Sequence, residues 1–484
     1  MTDVIKFIKE NASRFPNRIA IIDGERKISY ADFINLVDSI SHQLIINSVK
    51  PRVAFDLRQG AEAYALIVAI LNVGGTYCPL HPDAPIERKI QIITQFKPDL
   101  IIVENEISSE DFEGTKVVSI HNLLRESNFR EIETNYDGED IIYVIYTSGT
   151  TGTSKGVMIC RKALNKFLEW AIPTYGAGAE DIWGQFSFLS FDLSIVDIFT
   201  CLCSGATLFA MNDIPAKKNR PAGIIERDRI TIWHSIPSAV EFMMANERTK
   251  VYDFSSLRLM SFCGEALKKS QVEFLFEKKN DLIIFNTYGP TEGTLFCTWQ
   301  ELTKNTYVNF CNFNMSIGKA IPGWSLELNP ADGFEEKEII IYGDYIGAGY
   351  LVNPIDSKFR KIEIGNNTVN AFETGDLVNE KNGNLYFSCR KDRQVKIKGF
   401  RVELDEIDLR INEYLNKPSV TVVRKDSLYS FIESEEKIND LELRQHLKKK
   451  LELNKIPNTF YAIKEIPRTQ NQKVDNNALI QLIP

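Results

Sequence analysis

The residues Tyr146–Val157, YTSGTTGTSKGV, constrain this chain more than any other stretch. An apolar run, IIYVIY, leads into them and VMI follows, a pattern that predicts strand, polar loop, strand. Gly149, Gly152 and Gly156 open backbone conformations closed to other residues. Backbone amides in such a loop, with the hydroxyls of Thr147, Ser148, Thr150 and Thr151, form a concavity suited to anionic oxygens, and Lys155 adds a cation. A solvated Ser/Gly/Thr linker is the alternative; the flanking apolar strands and the terminal Lys-Gly argue against it. The loop is not a Walker A sequence either. Lys155 precedes Gly156, and no Ser or Thr follows the lysine to hold magnesium.

With 484 residues, two or three folding units are expected. Apolar runs alternate with helical patterns: IIYVIY with KALNKFLEWA, ATLFAM with a long helical stretch, VEFLFEKK with LIIFNTYG. This rhythm predicts α/β layers with largely parallel sheets. The later runs LELNP, EIIIYG and NLYFS are short and turn-separated, as in a small antiparallel sheet or barrel. At RKDRQVKIKGFR, Arg390–Arg401, the composition turns densely charged. A boundary near Asp392 is expected, giving a large domain over 1–391 and a small α+β domain over 392–484.

Other classes are disfavoured. A net charge of −8 is the wrong sign for a nucleic-acid protein. The N-terminus reads as an amphipathic helix without an apolar signal core, and AYALIVAILNVGG is too short to cross a bilayer. Eight cysteines form no C-x-x-C pair and five histidines no H-x-x-x-H, so neither a disulfide framework nor a zinc site is expected. Cys201 and Cys203 have the spacing of one face of a strand. Reduced thiols fit a cytoplasmic protein, with no membrane and no nucleic-acid partner.

Further segments follow the opening loop over nearly the whole chain: KISYADF (Lys27–Phe33), FDLSIVDIF (Phe191–Phe199), WHSIPS (Trp233–Ser238), FCGEAL (Phe262–Leu267), NTYGPTE (Asn286–Glu292), TGD (Thr374–Asp376), RKDRQVKIKGFRVELDEID (Arg390–Asp408) and PRTQNQKVD (Pro467–Asp475). In this order they resemble the adenylate-forming ANL superfamily, and more narrowly the amino-acid adenylation domains of nonribosomal peptide synthesis. Through WHSIPS, FCGEAL and NTYGPTE they look most like the stand-alone D-alanine–carrier protein ligases.

Joining a carboxylate to the α-phosphate of ATP brings two anions together, so such a site must supply positive charge and orientation. The resemblance implies that the loop from Thr147 to Lys155 holds the β- and γ-phosphates. It implies that Glu292 helps ligate Mg²⁺, a hard cation that seeks oxygen, and that Asp376 accepts the ribose hydroxyls with Arg390 nearby. Gly264, Glu265, Ala266 and Tyr288 would sandwich adenine, with Asn286, Thr287, Gly289 and Thr291 of the NTYGPTE segment at the nucleotide. Lys473 would be the catalytic residue, bridging the substrate carboxylate and the α-phosphate. The motif around it departs from the family's P-x-T-x-N-G-K-V-D by Gln472 in place of glycine. Cys389 and Lys337 are smaller departures where glycine is common. Taken singly, Asp376 also reads as a turn aspartate and Glu292 as a helix N-terminal acid.

Asp192 narrows the substrate. In amino-acid-activating members the aspartate of F-D-x-S pairs with the α-ammonium group, and a buried carboxylate is stable only when a cation meets it. The alternative is a helix cap supplied by Asp192 or Ser194. By motif alignment the remaining pocket residues are Leu193, Val196, His234, Ser261, Cys263, Thr287, Leu295 and Phe296. They suggest a small cavity, shortened by Phe296, with polar capacity at one wall, suited to alanine of either hand or to serine. His234 also reads as a neutral core histidine, and Cys263 as ordinary packing.

The resemblance further implies a second half-reaction. The C-terminal domain would swing about a hinge at Asp392, withdraw Lys473 and bring the Lys396–Arg401 face over the site for thioester formation. No G-G-x-S phosphopantetheine site lies downstream, and Asp426-Ser427-Leu428 lacks its glycines. The expected acceptor is therefore a separate, phosphopantetheinylated carrier protein. The rival readings are a ligase joining a small carboxylic acid to coenzyme A, which Asp192 disfavours, and a catalytically silent adenylate-binding regulator. Retention of Lys155, Glu292 and Asp376 speaks against the latter.

Overall fold

Val4, Ile5, Ile8 and Ala12 recur at helical spacing and are buried along the helix Val4–Arg14, whose first turn Asp3 caps by accepting from the Ile5 N–H at 2.9 Å. This computed structural model describes residues 3–104, 112, 114–124, 136–147, 154–212, 220–312, 314–343, 345–352, 358–364, 367–468 and 474–484. The chain forms two compact units. One comprises Met1–Pro82, Phe96–Ile145 and Gly156–Cys389; the other comprises Asp83–Gln95, Tyr146–Lys155 and Arg390–Pro484.

In the larger unit, a nine-stranded sheet runs in the order Lys319–Ala320, Thr298–Leu302, Ile283–Tyr288, Leu259–Phe262, Ile232–Ser235, Ile182–Gln185, Thr207–Ala210, Ile19–Asp23, Arg26–Ser29. The strands from Ile283–Tyr288 to Ile19–Asp23 pair in parallel, and the outer ones are antiparallel. Ile232–Ser235 and Leu259–Phe262 are buried at every position, as expected of strands covered on both faces. A seven-stranded sheet holds the strands Ile141–Thr147 and Lys155–Cys160 side by side. The two expected strands are therefore present, and residues 148–153 between them lie outside the described residues. A five-stranded antiparallel sheet gathers Ser325–Pro330, Lys337–Tyr342, Asn367–Lys381, Phe359–Ile364 and Asn384–Arg390, the small sheet anticipated from the turn-separated runs.

The smaller unit combines a ribbon, Gln394–Ile397 with Phe400–Glu403, and a three-stranded sheet, Ser419–Arg424, Ser427–Glu433 and Thr459–Ile463, with the helices Leu404–Leu415, Asp440–Lys448 and Asn476–Gln481. Val402, Ile407, Ile411, Ile432, Leu443 and Leu447 form one of its cores. Asp426 occupies the two-residue turn of the hairpin Ser419–Arg424 and Ser427–Glu433, with Lys425 at φ 50° and Asp426 at φ 56°.

One expectation is corrected. Cys201 and Cys203 are not on a strand: they lie in the helical turn Cys201–Ser204, which continues Leu193–Ile195 and the π-helical Val196–Thr200. The run IVDIFTCLC is buried on almost every side, so its spacing carries no strand signature. After the strand Thr207–Ala210, the described helix is Pro221–Arg227, and residues 213–219 of the expected helical stretch lie outside the described residues. Among the described residues, no helix is long and apolar enough to cross a membrane.

Candidate active site

The parallel strands of the large sheet end together, and in such sheets ligands bind beyond the carboxyl ends. His234 stands opposite Ser261, Ser261 opposite Phe285, and Phe262 opposite Asn286. Expected site residues therefore share neighbouring strand ends. Gly264, just past one of them, adopts φ 92°, a left-handed conformation that favours glycine. Gly289 meets a different constraint: a Cβ there would lie 2.2 Å from the Leu295 carbonyl oxygen. Thr294 and Leu295 both take positive φ, 59° and 71°, where the chain turns back past Gly289.

On the expected nucleotide side, the Tyr288 hydroxyl donates to Asp376 Oδ2 at 2.6 Å. Asp376 is 3% exposed. Its own N–H donates to Thr374 Oγ1 at 3.0 Å, and the Gly375 N–H donates to Glu338 Oε1 at 2.9 Å, which fixes the T-G-D bend. Burial, reinforced by the Asp376 charge, holds the Tyr288 phenol protonated, well above its ordinary range. Glu292 is fully buried and accepts from the Tyr350 hydroxyl at 2.7 Å, while its carbonyl takes the Gly347 N–H at 2.8 Å. Thr291 opens the short helix Thr291–Gly293 that carries Glu292. Glu265 Oε2 accepts from the Ser238 N–H at 2.9 Å, with Gly264 and Ala266 partly exposed on either side. The Asn286 amide is turned inward, donating to the Ser316 carbonyl at 2.8 Å.

On the expected amino-acid side, the Asp192 side chain makes no cap bond to the helix it precedes. Ser194 does not cap either; its hydroxyl donates to the Phe191 carbonyl at 2.7 Å. Leu193 is partly exposed, and Val196, Leu295 and Cys263 are buried. His234 is fully buried, with Phe296 edge-on at 5.5 Å between ring centroids. Sequence reasoning missed its partner: Asp197 Oδ1, also fully buried, lies 2.8 Å from His234 Nδ1 and accepts from Trp183 Nε1 at 3.1 Å. Asp197 sits inside FDLSIVDIF, and an acid within an apolar helical run is a legible signal. Two other hydroxyls of this wall are already engaged. Ser261 shares a 2.8 Å hydrogen bond with Tyr175, and Thr287 donates to the Phe262 carbonyl at 2.9 Å.

In the smaller unit, Thr147 closes one strand and Lys155 opens the next. Ser148, Gly149, Thr150, Thr151, Gly152 and Lys473 lie outside the described residues. Arg390 grips Asp392 with two bonds, Nε to Oδ1 at 2.7 Å and Nη2 to Oδ2 at 2.8 Å. A buried charge cluster was not anticipated: Lys455 Nζ reaches Glu406 and Glu452, each at 2.8 Å, and Arg88 reaches the same two acids at 3.5 Å. Arg88 lies more than three hundred residues from both acids, which leaves no spacing to read for its contacts.

Among the described residues no three potential metal ligands cluster.

Known proteins resemble this chain in sequence and fold. The chain is 28% identical to the D-alanine–D-alanyl carrier protein ligase of Staphylococcus aureus (strain Newman) in an alignment of 495 residues covering 100% of both chains. Its fold matches the Vibrio cholerae adenylation domain AlmE, solved with glycyl-adenosine-5′-phosphate, at a TM-score of 0.85 and 24% identity over 99% of this chain and 97% of that one. It also matches NpsA-ThdA, an artificially fused adenylation-PCP di-domain from Klebsiella oxytoca, at a TM-score of 0.80 and 20% identity over 95% and 93% of the two chains. Residues 8–351 match the family described as AMP-binding enzyme, most of the chain and every strand end described above, and the chain belongs to that family.

Proposed function

We propose that this protein is an ATP-dependent, adenylate-forming ligase that activates a small amino acid and passes it to the phosphopantetheine thiol of a separate carrier protein. In the first step a carboxylate oxygen of the amino acid bonds to the α-phosphorus of ATP, and the bond to pyrophosphate breaks. In the second, the carrier sulfur bonds to the acyl carbon, AMP leaves, and the thiol gives up its proton. The observation that carries the reading is the buried Tyr288–Asp376 hydrogen bond, made from the strand end that leads into buried Glu292, in a chain belonging to the AMP-binding enzymes.

Each residue has a role in this reading. Asp376 accepts the ribose hydroxyls, held in place by Tyr288. The Gly264–Ala266 strand end and the Tyr288 ring flank adenine, and the Thr147–Lys155 loop binds the outer phosphates. A magnesium ion held by Glu292 and phosphate oxygens would offset the negative charge of the triphosphate. Asp192 takes the α-ammonium group, and Lys473 stabilises charge as the α-phosphorus is attacked. The segment after Asp392 rotates between the two half-reactions.

Full-length relatedness to a carrier protein ligase supports a carrier rather than coenzyme A as acceptor. The test is amino-acid-dependent exchange of labelled pyrophosphate into ATP over a panel of amino acids. One or two small amino acids should support it. Exchange driven instead by small carboxylic acids lacking an amino group, with coenzyme A as acceptor, would refute the assignment.

A further inference from the structure

We infer that the substrate is a small amino acid with a side-chain hydroxyl, of the size of serine, and that Asp197 is the positioning residue that turns His234 toward it. The inference rests on the amino-acid-activating reading above and adds the chemistry of the side chain.

A carboxylate only accepts, so the His234 Nδ1 atom facing Asp197 Oδ1 at 2.8 Å carries a hydrogen. Trp183 Nε1 donates to the same oxygen, and the carboxylate hangs from the π-helical turn Val196–Thr200, a distortion common at functional sites. The imidazole is thereby held from one edge, with Phe296 edge-on to it. The opposite edge bears Nε2, which is fully buried and has no partner among the described residues. Buried polar atoms of this kind are rare, because leaving one unmet is unfavourable.

The neighbouring hydroxyls do not supply that partner, since Tyr175 engages Ser261 and the Phe262 carbonyl engages Thr287. A ligand hydroxyl can both donate and accept, so it satisfies Nε2 whether or not that atom carries a hydrogen. The methyl of alanine or the hydrogen of glycine satisfies it in neither state. Phe296, itself fully buried against Phe167, sets the limit on size.

Pyrophosphate exchange with glycine and both enantiomers of alanine and serine tests this. In the wild type, one enantiomer of serine should exceed alanine and glycine by at least about tenfold in kcat/KM. His234→Leu and Asp197→Ala should each lower the serine-to-alanine ratio by about tenfold, whereas a merely structural role would depress both substrates alike. Asp197→Asn, which keeps an acceptor for the Nδ1 hydrogen, should restore most of the ratio. Wild-type preference for alanine or glycine over serine overturns the inference and leaves amino-acid activation standing, and this result does not depend on any variant folding. A ratio unchanged in both His234→Leu and Asp197→Ala overturns it as well. Exchange with no amino acid at all overturns the functional reading and this inference with it.

Discussion

The phenol of Tyr288 donates a 2.6 Å hydrogen bond to Asp376, a residue 88 positions further along the chain. The bond ties a strand end of the nine-stranded sheet to the antiparallel sheet, because Tyr288 closes Ile283–Tyr288 and Asp376 lies within Asn367–Lys381. Both side chains are buried, so the orientation of the carboxylate depends on this donor and on the bend made by Thr374 and Gly375.

Tyr288→Phe keeps the ring that is assigned to adenine and removes only the donor. A hydrogen bond to a charged group contributes about 1.5–3 kcal/mol. If Asp376 receives the ribose, the KM for ATP should rise about tenfold or more, with a smaller change in kcat. Steady-state exchange kinetics at varied ATP check this; an unchanged KM would separate the pair from nucleotide binding.

Lys473→Ala should lower pyrophosphate exchange by about two to three orders of magnitude, the loss expected when one charge-stabilising donor is removed from a transition state. Binding of ATP, followed by calorimetry, should persist. Exchange at the wild-type rate would end the assignment of that lysine, and with it the importance of the PRTQNQKVD motif.

Asp192→Ala separates two roles for one carboxylate. Its side chain makes no cap bond to the helix that follows, so loss of a helix cap is not the expected consequence. Removing an acid that meets the α-ammonium group should raise the amino-acid KM at least about tenfold while ATP affinity changes little, since a buried cation left unpaired is strongly unfavourable. Parallel losses in both substrates would assign Asp192 to local structure instead.

What was legible in the sequence was local, and what was missed was relational. The strands around the Tyr146–Val157 segment, the helix after Cys160 and the small antiparallel sheet follow from apolar runs and turn residues a few positions apart. Tyr288 and His234 lie on strands of one sheet and Asp376 at an irregularity of another, because such motifs fix a backbone conformation as well as a side chain. Asp197 was passed over although it lies five residues beyond Asp192, because periodicity assigns a buried face without naming the partner on the facing strand. The Cys201 and Cys203 misreading has the same origin: a wholly buried helix shows no polar side from which to count. Glu452 and Lys455 are three residues apart, but Arg88 and Glu406 were invisible for a stronger reason, since partners brought together only by the fold leave no trace in spacing.

That cluster gives the smaller unit a pH signature. Burial alone would raise the Glu452 carboxyl, but Lys455 and Arg88 more than offset it and hold it down at about 2. A carboxyl lowered from its ordinary 4.5 contributes stability that is complete above that pH and is lost as pH falls toward 2. Asp408 acts in the opposite sense. Burial pushes it up to about 6 against the pull of Arg393 and Thr421, so ionising it weakens the fold as pH rises from about 4 to 6. Glu452→Gln leaves Arg88 and Lys455 facing Glu406 alone and should destabilise this unit by about 2–4 kcal/mol at neutral pH. Because a chain of this size does not unfold in one step, the measurement is hydrogen exchange of amides in the strand Thr459–Ile463 and the helix Leu404–Leu415. The difference between wild type and variant should be largest at pH 6–7 and should shrink as the pH is taken below 4.5. A difference that is constant with pH would show that Glu452 acts through packing rather than through its charge.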